Sequence, residues 1–151
     1  MPYTIENNGC TYYKTSNPWE KKFGHSRAVR KGPFIFVSGT VSCHPETGEM
    51  MYADSAHEQA RFIFETIVKA VEDLGGEKKD ILKVRMFVSM SEYSMEVGMA
   101  FKECFGNDSI GHDTSGETGG DVGGPAGTMI MGVKLVGEDM KVEIEAEAVV
   151  I

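Results

Sequence analysis

The sequence predicts one α+β domain, a two-layer sheet with helices on one face. Three observations point there. A strand-like alternation at 81–90 lies between two segments of helical periodicity, apolar β-type runs flank that core on both sides, and no internal repeat divides the chain. Its 151 residues suffice for one ordinary domain and are short for two. A chain of this size buries roughly two-thirds of its unfolded surface, so no disulfide or metal staple is required.

Residues 1–24 read as a polar N-terminal arm. Pro33 to Ser38 (PFIFVS) is a short apolar strand entered through the Gly32-Pro33 turn, and residues 44–49 carry polar turn chemistry. Ala60, Ile63, Phe64, Ile67, Ala70, Val71 and Leu74 recur at 3-4 spacing and line one helical face. Ser55 with Glu58 makes a capping box and Gly75-Gly76 a stop, so a helix is predicted over 55–75. From Ile81 to Met90, Leu82, Val84, Met86, Val88 and Met90 share one side, with Lys83, Arg85, Phe87 and Ser89 on the other. That is a half-buried strand. Val97, Ala100, Phe101 and Cys104 restore the helical spacing until Gly106. Two strands, Thr128–Val136 and Met140–Ile151, then close the chain as an antiparallel hairpin through Gly137, Glu138 and Asp139.

The stretch 106–127 stands apart as a Gly-rich loop insertion, with eight glycines in 22 residues and no Lys or Arg. A phosphate-cradling loop needs a preceding strand, a following helix and preferably a lysine. This one has a helix before it, a strand after it, and Asp113, Glu117 and Asp121 inside it. A lid or a disordered segment is the better expectation.

Composition excludes several function classes. Hydrophobic residues make up 41% and charged residues 25%, as in globular proteins. No apolar run approaches the roughly 20 residues of a membrane span, and the N-terminus lacks secretory features, so a cytoplasmic protein is expected. Fifteen basic against twenty-three acidic residues give a net charge of −8. The four arginines, Arg27, Arg30, Arg61 and Arg85, form no stripe that could displace counterions from phosphates, so nucleic acid is a poor partner. Cys10, Cys43 and Cys104, odd in number and widely spaced, fit reduced thiols. His25, His44, His57 and His112 make no metal-binding pattern, so neither a metal nor a cofactor is expected.

Nucleophile motifs are lacking as well: Ser38-Gly39 has no leading glycine for an elbow, and the adjacent Cys43-His44 would point to opposite faces of a strand. The last strand offers more. Glu143, Glu145 and Glu147 alternate with apolar residues and place three carboxylates on one face. They read either as a solvated face or as a cleft in which a carboxylate positions water or takes a proton.

Taken in order, these segments resemble the RidA family, also called YjgF/YER057c/UK114 and endoribonuclease L-PSP. The resemblance runs over about 20–151 through RAVRKG at 27–32, FIFVSG at 34–39, PETGE at 45–49 and EQA at 58–60. It continues through AVEDLG at 70–75, DILKV at 80–84, AFKECFG at 100–106, Pro125-Ala126 and VEIEAEA at 142–148. Trp19-Glu20 ahead of Gly24 is closer to less-studied branches than to the founding imine deaminases.

The resemblance implies a chorismate-mutase-like fold, a mixed sheet with two helices on one face, in a homotrimer with ligand clefts between subunits. Ten methionines suit such adaptable interfaces. It implies a deaminase or hydrolase acting on small imine- or enamine-type metabolites, with Glu143 orienting the hydrolytic water. His25, Ser38, Gly39, Gly127 and Met129 fall at ligand-binding positions. His25 stands where a tyrosine is usual, Gly98 where an asparagine is, and Met129 where a cysteine is frequent. The family's carboxylate-clamping arginine follows Pro-Ala; here that position is Gly127, and Gly124 precedes Pro125. The chain thus reads as an arginine-lacking branch. Another cation, Arg27 or Arg30 of a neighbouring subunit, is the candidate to replace the clamp. Two alternatives remain: a non-catalytic small-ligand-binding or chaperone-like trimer, and an endoribonuclease or translation inhibitor. The last is disfavoured because three chains of −8 would carry −24 and repel RNA.

Overall fold

The computed structural model describes residues 1–106 and 123–151, and its first elements lie where the sequence predicts an irregular arm. Tyr3–Asn7 (β1) and Cys10–Lys14 (β2) pair antiparallel around Asn8 and Gly9, both at positive φ (54° and 76°). This two-residue Asn-Gly turn matches the right-handed strand twist, the strongest short-range hairpin signal a sequence carries. Pro18–Phe23 (α1) follows, capped by the Asn17 side chain accepting from Trp19 N, started by Pro18 and stopped by Gly24 at φ 74°. The arm is therefore structured, and α1 raises the described α-helices to three where two were predicted.

Ala28–Lys31 (β3) and Phe34–Thr40 (β4) lead into Ala56–Asp73 (α2). Ser55 accepts from Glu58 N, half of the expected capping box, while Ser55 N donates to Tyr52 O rather than to Glu58. Gly75 ends the helix at φ 90°. Ile81–Val88 (β5) is followed by Ser94–Phe101 (α3), which widens into one π-turn at Lys102–Gly106. Ala126–Met131 (β6) and Val142–Val149 (β7) complete the chain. Of the Gly-rich loop 106–127, residues 107–122 lie outside the described residues, and so does its reading as a lid.

The sheet order is β1-β2-β3-β4-β7-β5-β6, antiparallel throughout except for β5 with β6. This corrects the closing hairpin: β6 and β7 are not neighbours but flank β5. Parallel β5 and β6 need a crossover, which α3 begins, and β7 then inserts between β4 and β5. A second correction concerns Leu82. A bulge between Ile81 and Lys83 in the β5–β7 pairing shifts the alternation, so Ile81 is buried and Leu82 is 54% exposed.

The core fills the space between α2 and the sheet. Ile63, Phe64 and Ile67 of α2 meet Ile35 of β4, Val84 of β5 and Ile144 of β7, all at most 1% exposed. Phe64, Phe101 and Phe105 stack edge-on or tilted at 5.1–6.0 Å. Among the described residues, no helix packs against the other sheet face. Registry places Ile5, Tyr12, Val29, Phe36, Glu147 and Lys83 in one row across it, with Phe34, Arg85, Glu145, Phe87 and Glu143 alongside. Phe34 and Phe36 are about half exposed there.

Candidate functional site

The three carboxylates of β7 project from this helix-free face, and the structure separates their roles. Arg85 of β5 lies 3.4 Å from Glu145 and 3.2 Å from Glu147, holding both in a partly exposed ion-pair ladder. Glu143, opposite Phe87, makes no ion pair or hydrogen bond among the described residues. Burial pushes its carboxyl above the usual range, opposed by the charge of Arg27 and reinforced by Glu145. One free, desolvated carboxyl is thereby picked out of three.

Ser38 and Gly39 sit in an irregularity between Val37 and Thr40, where β4 loses register with β7. Gly39 is needed there for close approach: a Cβ on it would stand 2.9 Å from Glu143 Oε2 and 3.1 Å from its Cδ. The carboxylate lies directly over the glycine backbone. Ser38 Oγ donates to Ser26 O (2.7 Å) and Ser38 N to Arg27 O (3.0 Å), locking this stretch to the segment entering β3.

Arg27, on that entering segment, is 7% exposed. Its Nη2 donates to Gly39 O, its Nε is buried without a partner, and no carboxylate lies within ion-pair distance among the described residues. Burial draws the guanidinium pKa downward; Glu20 and Glu143 oppose that shift without touching it. Two residues earlier, burial and then the Arg27 charge lower the His25 pKa from its ordinary value, opposed by Glu20. Within one chain, then, Ser38, Gly39 and Glu143 come together around Arg27, with His25 on the same entering segment.

Gly127 and Met129 are placed elsewhere. On edge strand β6 they register with Val84 and Met86, and a Cβ at Gly127 would meet the Phe101 ring at 3.5 Å and Met86 at 3.7 Å. They face the helix side, one strand removed from β7. Arg30 is committed to structure, donating to Leu74 O (2.6 Å) and Gly32 O (2.9 Å). Sequence reading named Arg27 only as a cation that a neighbouring subunit could supply; the structure buries it beside Gly39 and Glu143 of its own chain. Its signal in the sequence was an arginine seven residues ahead of Phe34, which says nothing of burial. Among the described residues no cluster of three His, Cys, Asp or Glu could hold a metal, and no helix is long and apolar enough to cross a membrane.

Comparison with known proteins adds the following. A family model described as endoribonuclease L-PSP matches residues 17–150. An uncharacterized protein of Streptomyces coelicolor is 32% identical over 93 residues, 61% of this chain and 67% of that protein. A RutC family protein of Pyrococcus abyssi is 32% identical over 82 residues, 54% of this chain and 64% of that protein. The match thus spans about two thirds of either relative's length, 67% and 64%. A crystal structure of a YjgF/YER057c/UK114 family member from Mycobacterium tuberculosis superimposes with a TM-score of 0.72 at 26% identity, covering 93% of this chain and 99% of that one.

Proposed function

The chain belongs to the endoribonuclease L-PSP family, and from that membership and the environment of Glu143 we propose that it is a hydrolase of small imine- or enamine-type metabolites. The observation that carries the reading is the free, half-buried Glu143 carboxyl lying over Gly39 beside an unpaired Arg27. Such a group suits both halves of imine hydrolysis. As carboxylate it accepts a proton from water while the oxygen adds to the C=N carbon. As carboxyl it returns that proton to nitrogen to give the carbinolamine, and in a second cycle it takes the hydroxyl proton and passes it to nitrogen as the C–N bond breaks, leaving carbonyl and ammonia. Burial, by moving its pKa toward neutrality, suits it to both roles.

The working assembly in this proposal is a homotrimer whose clefts lie between subunits. The exposed apolar row on the helix-free face, with Ile5 at 47%, Phe34 at 51% and Phe36 at 48% exposure, is the surface it would cover. An adjoining subunit would then supply the β6 edge with Gly127 and Met129 to the Glu143 pocket.

Substrate class follows from Gly127. A position without a side chain provides no guanidinium for a carboxylate, and losing one partner of a desolvated charge pair costs about 2–5 kcal/mol. That is roughly 30- to several-thousand-fold in rate for an anionic substrate. The branch lacking this arginine should therefore hydrolyse 2-iminobutanoate poorly and prefer uncharged imines. The same gap favours a second reading, a trimer that binds small ligands without turning them over. Semicarbazide trapping decides between them, with a dehydratase generating 2-iminobutanoate and a neutral ketimine run in parallel. The expected result is ketimine turnover that Glu143→Gln abolishes. Unchanged turnover in that variant overturns the mechanism, and no turnover of either imine leaves the binding reading.

A further inference from the structure

On the side of Arg27 toward α2, a cavity of about 250 Å³ opens between that helix and the ends of β2 and β4. Val41 and Phe62 supply apolar wall; Tyr13, Thr15 and Thr66 supply hydroxyls; Arg27 supplies the charge. None of Ser38, Gly39 or Glu143 lines it. Arg27 is the residue this cavity shares with the group around Glu143, and the inference does not depend on the imine reaction.

Several hydroxyl and charged groups of this wall are already engaged. Tyr13 OH donates to Asp73 (2.7 Å), Thr66 Oγ1 to Phe62 O (2.9 Å), and Thr15 Oγ1 to Glu20. Lys69, also at the wall, is held by Asp73 at 2.8 Å. Arg27 has five N–H donors, of which only the one to Gly39 O is matched among the described residues. An arginine only 7% exposed, without a carboxylate in contact and with its Nε buried and orphaned, is costly unless something else completes its shell. Planar oxyanions match that fork best.

We propose that this cavity is a second ligand site, binding a small, mainly apolar monocarboxylate whose anion pairs with Arg27. Its volume of about 250 Å³ falls just below the range of drug-sized pockets, about 300–1,000 Å³, which sets the ligand as small. Glu20 and Glu143 act on the same guanidinium and Glu46 stands at the wall, so a single negative charge is favoured over a phosphate dianion. Apolar Val41 and Phe62 select for a ring or short chain over a sugar.

The test is an amide-resolved NMR titration of the intact protein with benzoate and, as neutral isostere, benzamide. Benzoate should give saturable shifts at Val41, Phe62 and Thr66, with benzamide at least about tenfold weaker, one decade being about 1.4 kcal/mol. Thr66→Trp, which puts an indole into the cavity from α2, should remove the benzoate shifts, and Arg27→Lys should weaken them by a similar decade. Should either variant fail to fold, the benzoate–benzamide contrast on the unmodified protein still decides. Shifts confined to Ser38, Gly39 and Glu143, equal binding of benzamide, no saturable shift, or benzoate binding that survives in folded Thr66→Trp would each overturn the proposal.

Discussion

Gln59→Leu should be among the most damaging single substitutions in this protein although it conserves bulk. Gln59 lies on α2 and is fully buried. Its Nε2 donates to Tyr52 O (3.1 Å) and Asp139 O (2.8 Å), and its Oε1 accepts from Lys141 N (2.9 Å). One amide thus ties the loop before α2 to the segment entering β7, across 82 residues of chain. It also steadies Tyr52, a non-glycine residue held at φ 57°. Leucine fills the space but matches none of the three backbone groups. A net hydrogen bond is worth about 1 kcal/mol, and an orphaned buried group costs about 1–3 kcal/mol. Tyr52 and Asp139 are exposed residues, so water can reach their carbonyls in part, and the loss should total about 3 kcal/mol. For a domain of this size that is a fall in Tm of about 6–12 °C. Urea unfolding followed by circular dichroism should show a lower midpoint at unchanged slope. Because Glu143 lies two residues beyond Lys141, turnover should fall as well. A stability loss below about 1 kcal/mol would refute the accounting, since it would mean that these groups find other partners at no cost.

Two further outcomes follow from the geometry. Gly39→Ala places a methyl 2.9 Å from Glu143 Oε2, so the carboxylate must swing outward. An off-rotamer shift costs only about 0.5–1.5 kcal/mol, whereas a misplaced catalytic group can lose about 10²-fold in rate. Carboxyl-carbon NMR should show the Glu143 pKa moving back toward the ordinary range as burial is relieved, and an unchanged titration would contradict the close approach. His57 bonds Glu103 at 3.0 Å, which raises its pKa above 6.5, with Glu58 adding to the effect. A raised folded pKa stabilises while the imidazolium persists, so the contribution is complete below about pH 6.5 and vanishes as pH rises through the folded value. The Tm difference between the unmodified protein and His57→Ala should therefore be present at acidic pH and absent at alkaline pH; a pH-independent difference would rule out the ion pair as its source.

Local pattern was enough for the elements whose stability is local. The 3-4 spacing from Ala60 to Leu74, with Ser55 ahead and Gly75 behind, specifies α2 because each contact joins residues within two turns of one another. The alternation over 142–149 specifies β7 and puts Glu143, Glu145 and Glu147 on one face for the same reason. Asn8-Gly9 carried the hairpin signal too, in a stretch whose polarity suggested an arm. What lies between distant segments was not legible. Insertion of β7 between β4 and β5 depends on chain reversal over some sixty residues, and no period within 126–151 records it. The bulge that exposes Leu82 is a mismatch between two strands, invisible in either alone. The site divides in the same way. Sequence supplied a carboxylate on a strand and a glycine on another; only the fold gave Arg85 to Glu145 and Glu147, left Glu143 free over Gly39, and buried Arg27 beside it. Periodicity is a property of neighbours along the chain, whereas desolvation and charge pairing are properties of neighbours in space.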